Sequence, residues 1–96
     1  MHARVTTLHG TPTDLEAGVD TFRSNVVPFT KEQGGGAILL VDRESGETLS
    51  ITLWPDEQAM QASEDSANSL RAQAADEMGV TDEPTIGRYE VAVFEV

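Results

Sequence analysis

The chain predicts an α+β fold of βαββαβ order, a ferredoxin-like four-stranded antiparallel sheet with two helices on one face. Three observations carry this expectation: four short runs rich in β-branched and aliphatic residues, two stretches with apolar residues at near-fourfold spacing, and turn-forming residues between them. A length of 96 residues suits one domain, residues 1–96, with a modest core.

Residues 3 to 9, "ARVTTLH", form a β-branched run that ends at Gly10 and reads as the first strand. A helix start follows in one of two registers, Thr11 with Pro12 behind it, or Thr13 with Glu16 as a capping box. Leu15, Val19, Phe22 and Val26 make its apolar stripe. Pro28 lacks a backbone donor and is expected to kink or end this helix; Gly34, Gly35 and Gly36 stop it and read as a flexible link.

"GAILLVD" is apolar on both alternating faces, Ala37, Leu39 and Val41 on one and Ile38 and Leu40 on the other. After the polar turn "RESGE", the run "TLSITLW" sets Leu49, Ile51 and Leu53 against Ser50, Thr52 and Trp54, which describes a hairpin. Pro55 and Asp56 open a second helix, expected over residues 56–78, with an inner stripe of Ala59, Ser63, Ala67, Leu70, Ala74 and Met78 and a stop at Gly79. Glu64 and Asp65 read as part of its solvated face. "IGRYEVAVFEV" is expected as a long final strand over residues 86–96, apolar through Tyr89, Val91 and Val93 on one side and Ala92, Phe94 and Val96 on the other.

Seventeen acids against six bases give a net charge of −11, which repels phosphate backbones and anionic headgroups. Nucleic acid and membrane surfaces are therefore not expected as partners. No apolar run approaches the roughly 18 residues of a membrane helix, and "MHARVTTLHG" lacks the pattern of a signal peptide, so the cytoplasm is the expected compartment. Cysteine is absent, which excludes disulfides, thiolate metal sites and a cysteine nucleophile. The two histidines have no carboxylate at ligand spacing, and no lysine follows "GGG" as a phosphate loop requires. No metal, haem, flavin or other cofactor is expected. The second and fourth strands want burial on both sides while the helices cover one, so a homodimer joined through the sheet faces is expected.

The βαββαβ order, the passage "LSITLWPDEQAMQAS" and the closing "GRYEVAVFEV" resemble the antibiotic-biosynthesis-monooxygenase-like family of dimeric α/β barrels, across essentially the whole chain. The resemblance implies a dimeric α/β barrel; its members include cofactor-independent oxygenases of aromatic polyketides and quinols, haem-degrading oxygenases and uncharacterised proteins. Trp54 matches the tryptophan that the oxygenase branches keep at the end of the third strand, beside a cavity between sheet and helices. The haem-ligating histidine of the second helix has no counterpart in residues 56–78, and the strand asparagine of the oxygenase pocket has none either, since Asn25 and Asn68 fall in helical segments.

Ser50 and Thr52 share the strand face of Trp54 and are candidate ligand-binding residues with it, although a tryptophan before a helix serves packing equally well. His9 is the candidate catalytic base near neutral pH, or else a solvated turn residue; His2 reads as exposed. Tyr89 and Arg88 are candidates to orient an acidic phenol, with core packing as the alternative for Tyr89. Two functions follow. One is a small-molecule-binding protein acting as a cofactor-independent monooxygenase on an aromatic compound; the other is a non-catalytic metabolite-binding or scaffold protein. The space beside Trp54 discriminates between them.

Overall fold

The computed structural model describes residues 1–78 and 83–96, without the side chains of residues 77 and 78. Strands β1 (His2–His9), β2 (Gly36–Val41), β3 (Glu47–Trp54) and β4 (Thr85–Glu90) form one antiparallel sheet in the order β2-β3-β1-β4. The helices are α1 (Leu15–Thr21), α2 (Val27–Glu32), α3 (Glu57–Ala62) and α4 (Glu64–Met78). This is the βαββαβ arrangement the sequence predicts.

The register decides what the helices cover. Arg4 stands opposite Thr52 and Arg88, Thr6 opposite Ser50 and Ile86, and Leu8 opposite Thr48. These positions therefore share one face with Trp54 and Leu39, and it is this face that meets the helices. The other face carries Val5, Ile38, Leu40, Leu49, Ile51, Leu53 and Tyr89. Ile38, Leu40 and Tyr89 are exposed there. The sheet thus turns its hydroxyl-rich side inward and its aliphatic side outward. Thr6, Thr30, Thr48, Thr52 and Ser63 are buried beside Leu8, Leu15, Trp54, Met60 and Ala67.

The first helical stretch is less regular than its stripe suggests. A 3₁₀ turn over Pro12–Asp14 precedes α1, with Thr11 at its start, so the Thr13–Glu16 capping box does not form. A π-turn, Phe22–Val26, separates α1 from α2, and the Val27 N–H reaches back five residues to the Phe22 carbonyl. Pro28 does not end the run: it falls in the first turn of α2, directly after the π-turn. Thr30, fully buried, satisfies its hydroxyl on the carbonyls of Val26 and Val27 at 3.2 and 3.0 Å.

The glycine triplet is not a flexible link. Gly34 takes a left-handed φ of 79° that ends α2, and the Gly35 N–H donates to the Thr30 carbonyl at 2.9 Å. Gly35 also passes so close to β3 that a Cβ would lie 1.8 Å from the Leu53 carbonyl oxygen. The turn between β2 and β3 is tied by the Asp42 carboxylate, which accepts from the N–H groups of Glu44 and Ser45 and is held below its ordinary pKa by those bonds.

Two other expectations are corrected. The second helix breaks at Ser63 into α3 and α4, for a reason given below. The final strand stops at Glu90, and the Val91 N–H makes one further bond, to the Met1 carbonyl at 2.9 Å. β4 pairs with β1 alone. Val93, Phe94 and Val96 lie exposed beyond the sheet. The expected stop at Gly79 and the side chain of Met78 lie outside the described residues.

Gly35→Ala should lower the stability by more than about 1 kcal/mol, because the backbone of β3 blocks the added methyl. Gly36→Ala, whose Cβ would meet only the Leu53 Cδ1 at 3.8 Å, should change it by less than about 0.5 kcal/mol. Urea unfolding of both variants checks the contrast.

Candidate functional site

A charged side chain organises the helix-covered face. Arg4 projects from the middle of β1 into the interior and is 2% exposed. A buried guanidinium needs acceptors. Its Nη2 donates to the Met60 carbonyl at 2.7 Å, to Ser63 Oγ at 3.0 Å and to Glu64 Oε1 at 3.0 Å. These three acceptors sit at the joint between α3 and α4. Ser63 closes α3 with its N–H on the Met60 carbonyl, and its hydroxyl donates to the same oxygen at 2.6 Å. The helix break thus turns a backbone carbonyl and a serine toward Arg4. At the start of α3, Asp56 Oδ1 caps the helix by accepting from the Ala59 N–H at 2.8 Å.

Glu64, expected on a solvated face, is instead the counter-ion of three arginines. Besides Arg4 it accepts from Arg88 Nε at 2.8 Å and Nη2 at 3.0 Å, and it stands 3.8 Å from Arg71 Nη2. The Arg88 hydrogen bonds are the largest cause that lowers its pKa from 4.5 to about 2, and the charge of Arg4 adds to them. Arg71 is pushed below its ordinary value, first by burial and then by the charge of Arg4. Arg88 is raised by its bonds to Glu64.

Trp54, 1% exposed, packs above this cluster. Its ring lies 5.5 Å from the Arg4 guanidinium carbon and meets the Phe29 ring edge-on at 5.9 Å between centroids. Its indole N–H donates to Thr52 Oγ1 at 3.0 Å, so the ring is turned back along its own strand. Beside it the sheet and helices leave a cavity of about 60 Å³. A water needs on the order of 10–15 Å³ of such space, so the cavity has room for a few waters or a small polar group.

Its floor is Arg4, Thr6, Leu8, Leu39, Thr48, Ser50, Thr52 and Trp54; its roof includes Gly18, Thr21, Phe22, Val26, Phe29, Ala67, Leu70, Arg71 and Ala74. Leu8, Leu15 and Ala74 pack together at the end away from Trp54. Phe22 and Leu39 also border a shallower groove of about 270 Å³ with Val19, Val27 and Val41. The small residues of the second helix therefore leave space under part of α4, at Ala67 and Ala74, while Ser63 serves the packing of Arg4.

The structure brings Trp54, Ser50 and Thr52 together on the cavity wall and places His9 and Tyr89 elsewhere. His9 follows the odd-numbered positions of β1 onto the opposite face, beside Glu47 across the strand pair, with Nδ1 3.5 Å from Oε2. Tyr89 is on that face too, its ring lying over Gly87. Strand alternation thus puts the sheet between His9 and the cavity, and between Tyr89 and Arg88. His2, expected to be exposed, is half-buried with a buried Nδ1 that has no partner among the described residues.

The residues missed by sequence reasoning are Arg4, Glu64 and Arg71. The available signal was an arginine in phase with Thr6 and Leu8 inside a β-branched run. Among the described residues, no three histidine, aspartate or glutamate side chains converge as a metal site requires, and no helix is long and apolar enough to cross a membrane.

No family model matches the chain. It is 31% identical over 96 residues to the uncharacterised protein Rv2557 of Mycobacterium tuberculosis H37Rv, which covers 98% of this chain and 42% of that protein. It is 35% identical over 77 residues to the uncharacterised protein Rv2558 of the same strain, covering 78% and 33%. The chain therefore spans about two fifths or less of the length of these curated relatives.

Among solved structures it is similar to a candidate antibiotic biosynthesis monooxygenase from Deinococcus radiodurans, with a TM-score of 0.75 and 18% identity over 100% of this chain and 97% of that one. The monooxygenase ActVA-Orf6 of Streptomyces coelicolor, in complex with nanaomycin D, gives a TM-score of 0.75 and 16% identity over 99% and 92%. A dimeric ferredoxin-like protein from an uncultured marine organism gives 0.70 and 8% over 99% and 90%. The chain has the fold these structures share, the one its sequence resemblance implied.

Glu64 supplies a pH signature. Its pKa is lower in the folded chain than the ordinary 4.5, so its contribution is complete above that value and is lost as pH falls from 4.5 toward about 2. Wild type should lose roughly 2 to 3 kcal/mol across that window, allowing for the partial exposure of the group. Glu64→Gln should be less stable at neutral pH and much flatter over the same range. Urea midpoints measured against pH check both.

Proposed function

We propose that the chain is a small-molecule-binding protein of the dimeric α/β-barrel type, taking an aromatic ligand in the cavity beside Trp54. The observation that carries this reading is the inverted sheet. A polar wall of Ser50, Thr52 and Thr6 with a buried arginine faces the helices, where a protein built only for packing sets aliphatic side chains. Trp54 presents an aromatic surface at one end of that wall, and Ser50 and Thr52 supply hydrogen-bonding groups along it. A bulky aromatic ligand exceeds about 60 Å³ of free space, so binding widens the cavity, with Phe22 and Leu39 placed to yield toward the outer groove.

Within this reading, cofactor-independent oxygenation of an aromatic compound is the activity favoured by likeness to the Streptomyces coelicolor monooxygenase solved with nanaomycin D. Such chemistry needs an electron-rich substrate anion that can reduce dioxygen. His9 is not its base, since the sheet separates it from the cavity. Among the described lining residues there is no histidine and no carboxylate, so the substrate has to arrive ionised or lose its proton to water under the field of Arg4 and Arg71.

The second part of the proposal is a homodimer. The outward aliphatic face of β2, β3 and β1 is a surface that a second copy covers, and a stable pairing buries more than about 1,000 Å². Likeness to the dimeric ferredoxin-like protein supports the same assembly.

Light scattering at micromolar concentration should give twice the chain mass. Leu40→Glu, at an exposed position of the open face, should give the single-chain mass with an unchanged circular dichroism spectrum. Because Trp54 is the sole tryptophan, titration with small aromatic compounds should alter its emission. Trp54→Phe should keep the fold and weaken that binding, while Trp54→Ala should cost roughly 3 to 5 kcal/mol. Indifference of Trp54 emission to every aromatic probe would remove the binding reading.

A further inference from the structure

We infer that the cavity selects an anion: an anionic oxygen carried by the aromatic ligand, carboxylate or phenolate, bound by the Nε–H of Arg4 with Arg71 beside it. This deepens the reading above and rests on it.

The first argument is an unsatisfied donor. Arg4 is 2% exposed, its Nη2 has three acceptors, and its Nε is buried with no partner among the described residues. A buried donor left empty costs about 1 to 3 kcal/mol, more when it belongs to a charged group. The side chain carrying it forms part of the cavity wall. A ligand that widens the cavity beside this side chain can complete the donor. Since Nη2 is already committed, Nε offers a single bond, which suits one oxygen better than a forked pair.

The second argument is the local charge. The chain carries −11 overall, yet Arg4, Arg71 and Arg88, three of its five arginines, converge on the single carboxylate of Glu64. Among the described residues, three positive charges against one negative leave an excess of two. Arg71, 11% exposed, lines the cavity with Arg4. Its lowered pKa records the same excess, burial and the Arg4 charge both disfavouring its proton. An entering anion relieves it.

The third argument concerns what else meets the ligand. The wall offers the hydroxyls of Thr6, Thr48 and Ser50 and no carboxylate among the described residues. Hydroxyls donate to an anionic oxygen as readily as they accept, so nothing in the wall opposes a negative charge. The aromatic ring then lies toward Trp54 and Phe29.

Calorimetry with benzoate, pentafluorophenolate and the neutral benzamide tests the inference. Wild type should bind at least one of the two anions at least tenfold more tightly than benzamide, and the preferred anion identifies the oxygen. Arg71→Met should weaken that anion at least tenfold and leave benzamide unchanged. Arg4→Lys, which keeps a charge near Glu64 and removes the spare donor, should do the same, with Trp54 emission as the check of folding. Arg23→Met, which removes an equal charge from the exposed surface, should alter anion affinity less than twofold. Benzamide binding as tightly as both anions, or Arg71→Met binding the anion like wild type, overturns the anion site and leaves the small-molecule reading standing. No heat from any of the three probes sinks both.

Discussion

The helix-covered side of this protein is built around a charge that cannot reach water. Placing a guanidinium in the middle of the central strand is expensive unless its donors are met. Three of the acceptors come from one short piece of chain, Met60, Ser63 and Glu64. That requirement fixes where the second helix must break, how α3 and α4 seat on β1, and why Arg88 on the neighbouring strand is drawn to the same carboxylate. Removing the arginine would free the joint, and removing Glu64 would leave three like charges with no neutralising partner among the described residues. At the other end, Leu8, Leu15 and Ala74 close the layer by ordinary apolar contact. The gap between a polar clamp and an apolar clamp is the cavity.

The same register has a cost on the reverse side. Threonine and serine occupy the inward positions of β3, so leucine and isoleucine of that strand have to face out. In a lone chain Ile38 and Leu40 meet water, and the apolar contact that pins helices to the sheet falls to Leu8, Leu15, Trp54 and Met60. Hydrogen bonds, the edge-on contact of Phe29 with Trp54 and the Arg4–Glu64 network take over part of that work. Such a layer holds its shape through directional contacts more than through bulk burial, which suits a space that has to accept a guest.

Much of this was legible in the chain. Alternation gave β2 and β3 their two faces correctly, because side-chain period is a strictly local property. Ser50, Thr52 and Trp54 were grouped on one face by counting alone. Which face the helices would choose was not legible, since the outcome depends on a pairing between Arg4 and Glu64 that are 60 residues apart. The break at Ser63 was hidden for the same reason: local propensity favours continuation, and a distant donor overrides it. His9 and Tyr89 were misplaced because chemical type was weighed before strand phase. The end of β4 at Glu90 could not be read from its own residues, whose β propensity persists to the last position.

The passage of Gly35 against β3 acts as a locating pin. A Cβ there would lie 1.8 Å from the Leu53 carbonyl oxygen, so the chain leaves α2 along a path that any side chain would close. The roof of the cavity is thereby tethered to its floor by backbone alone, a joint that substitutions elsewhere in the cavity wall leave intact.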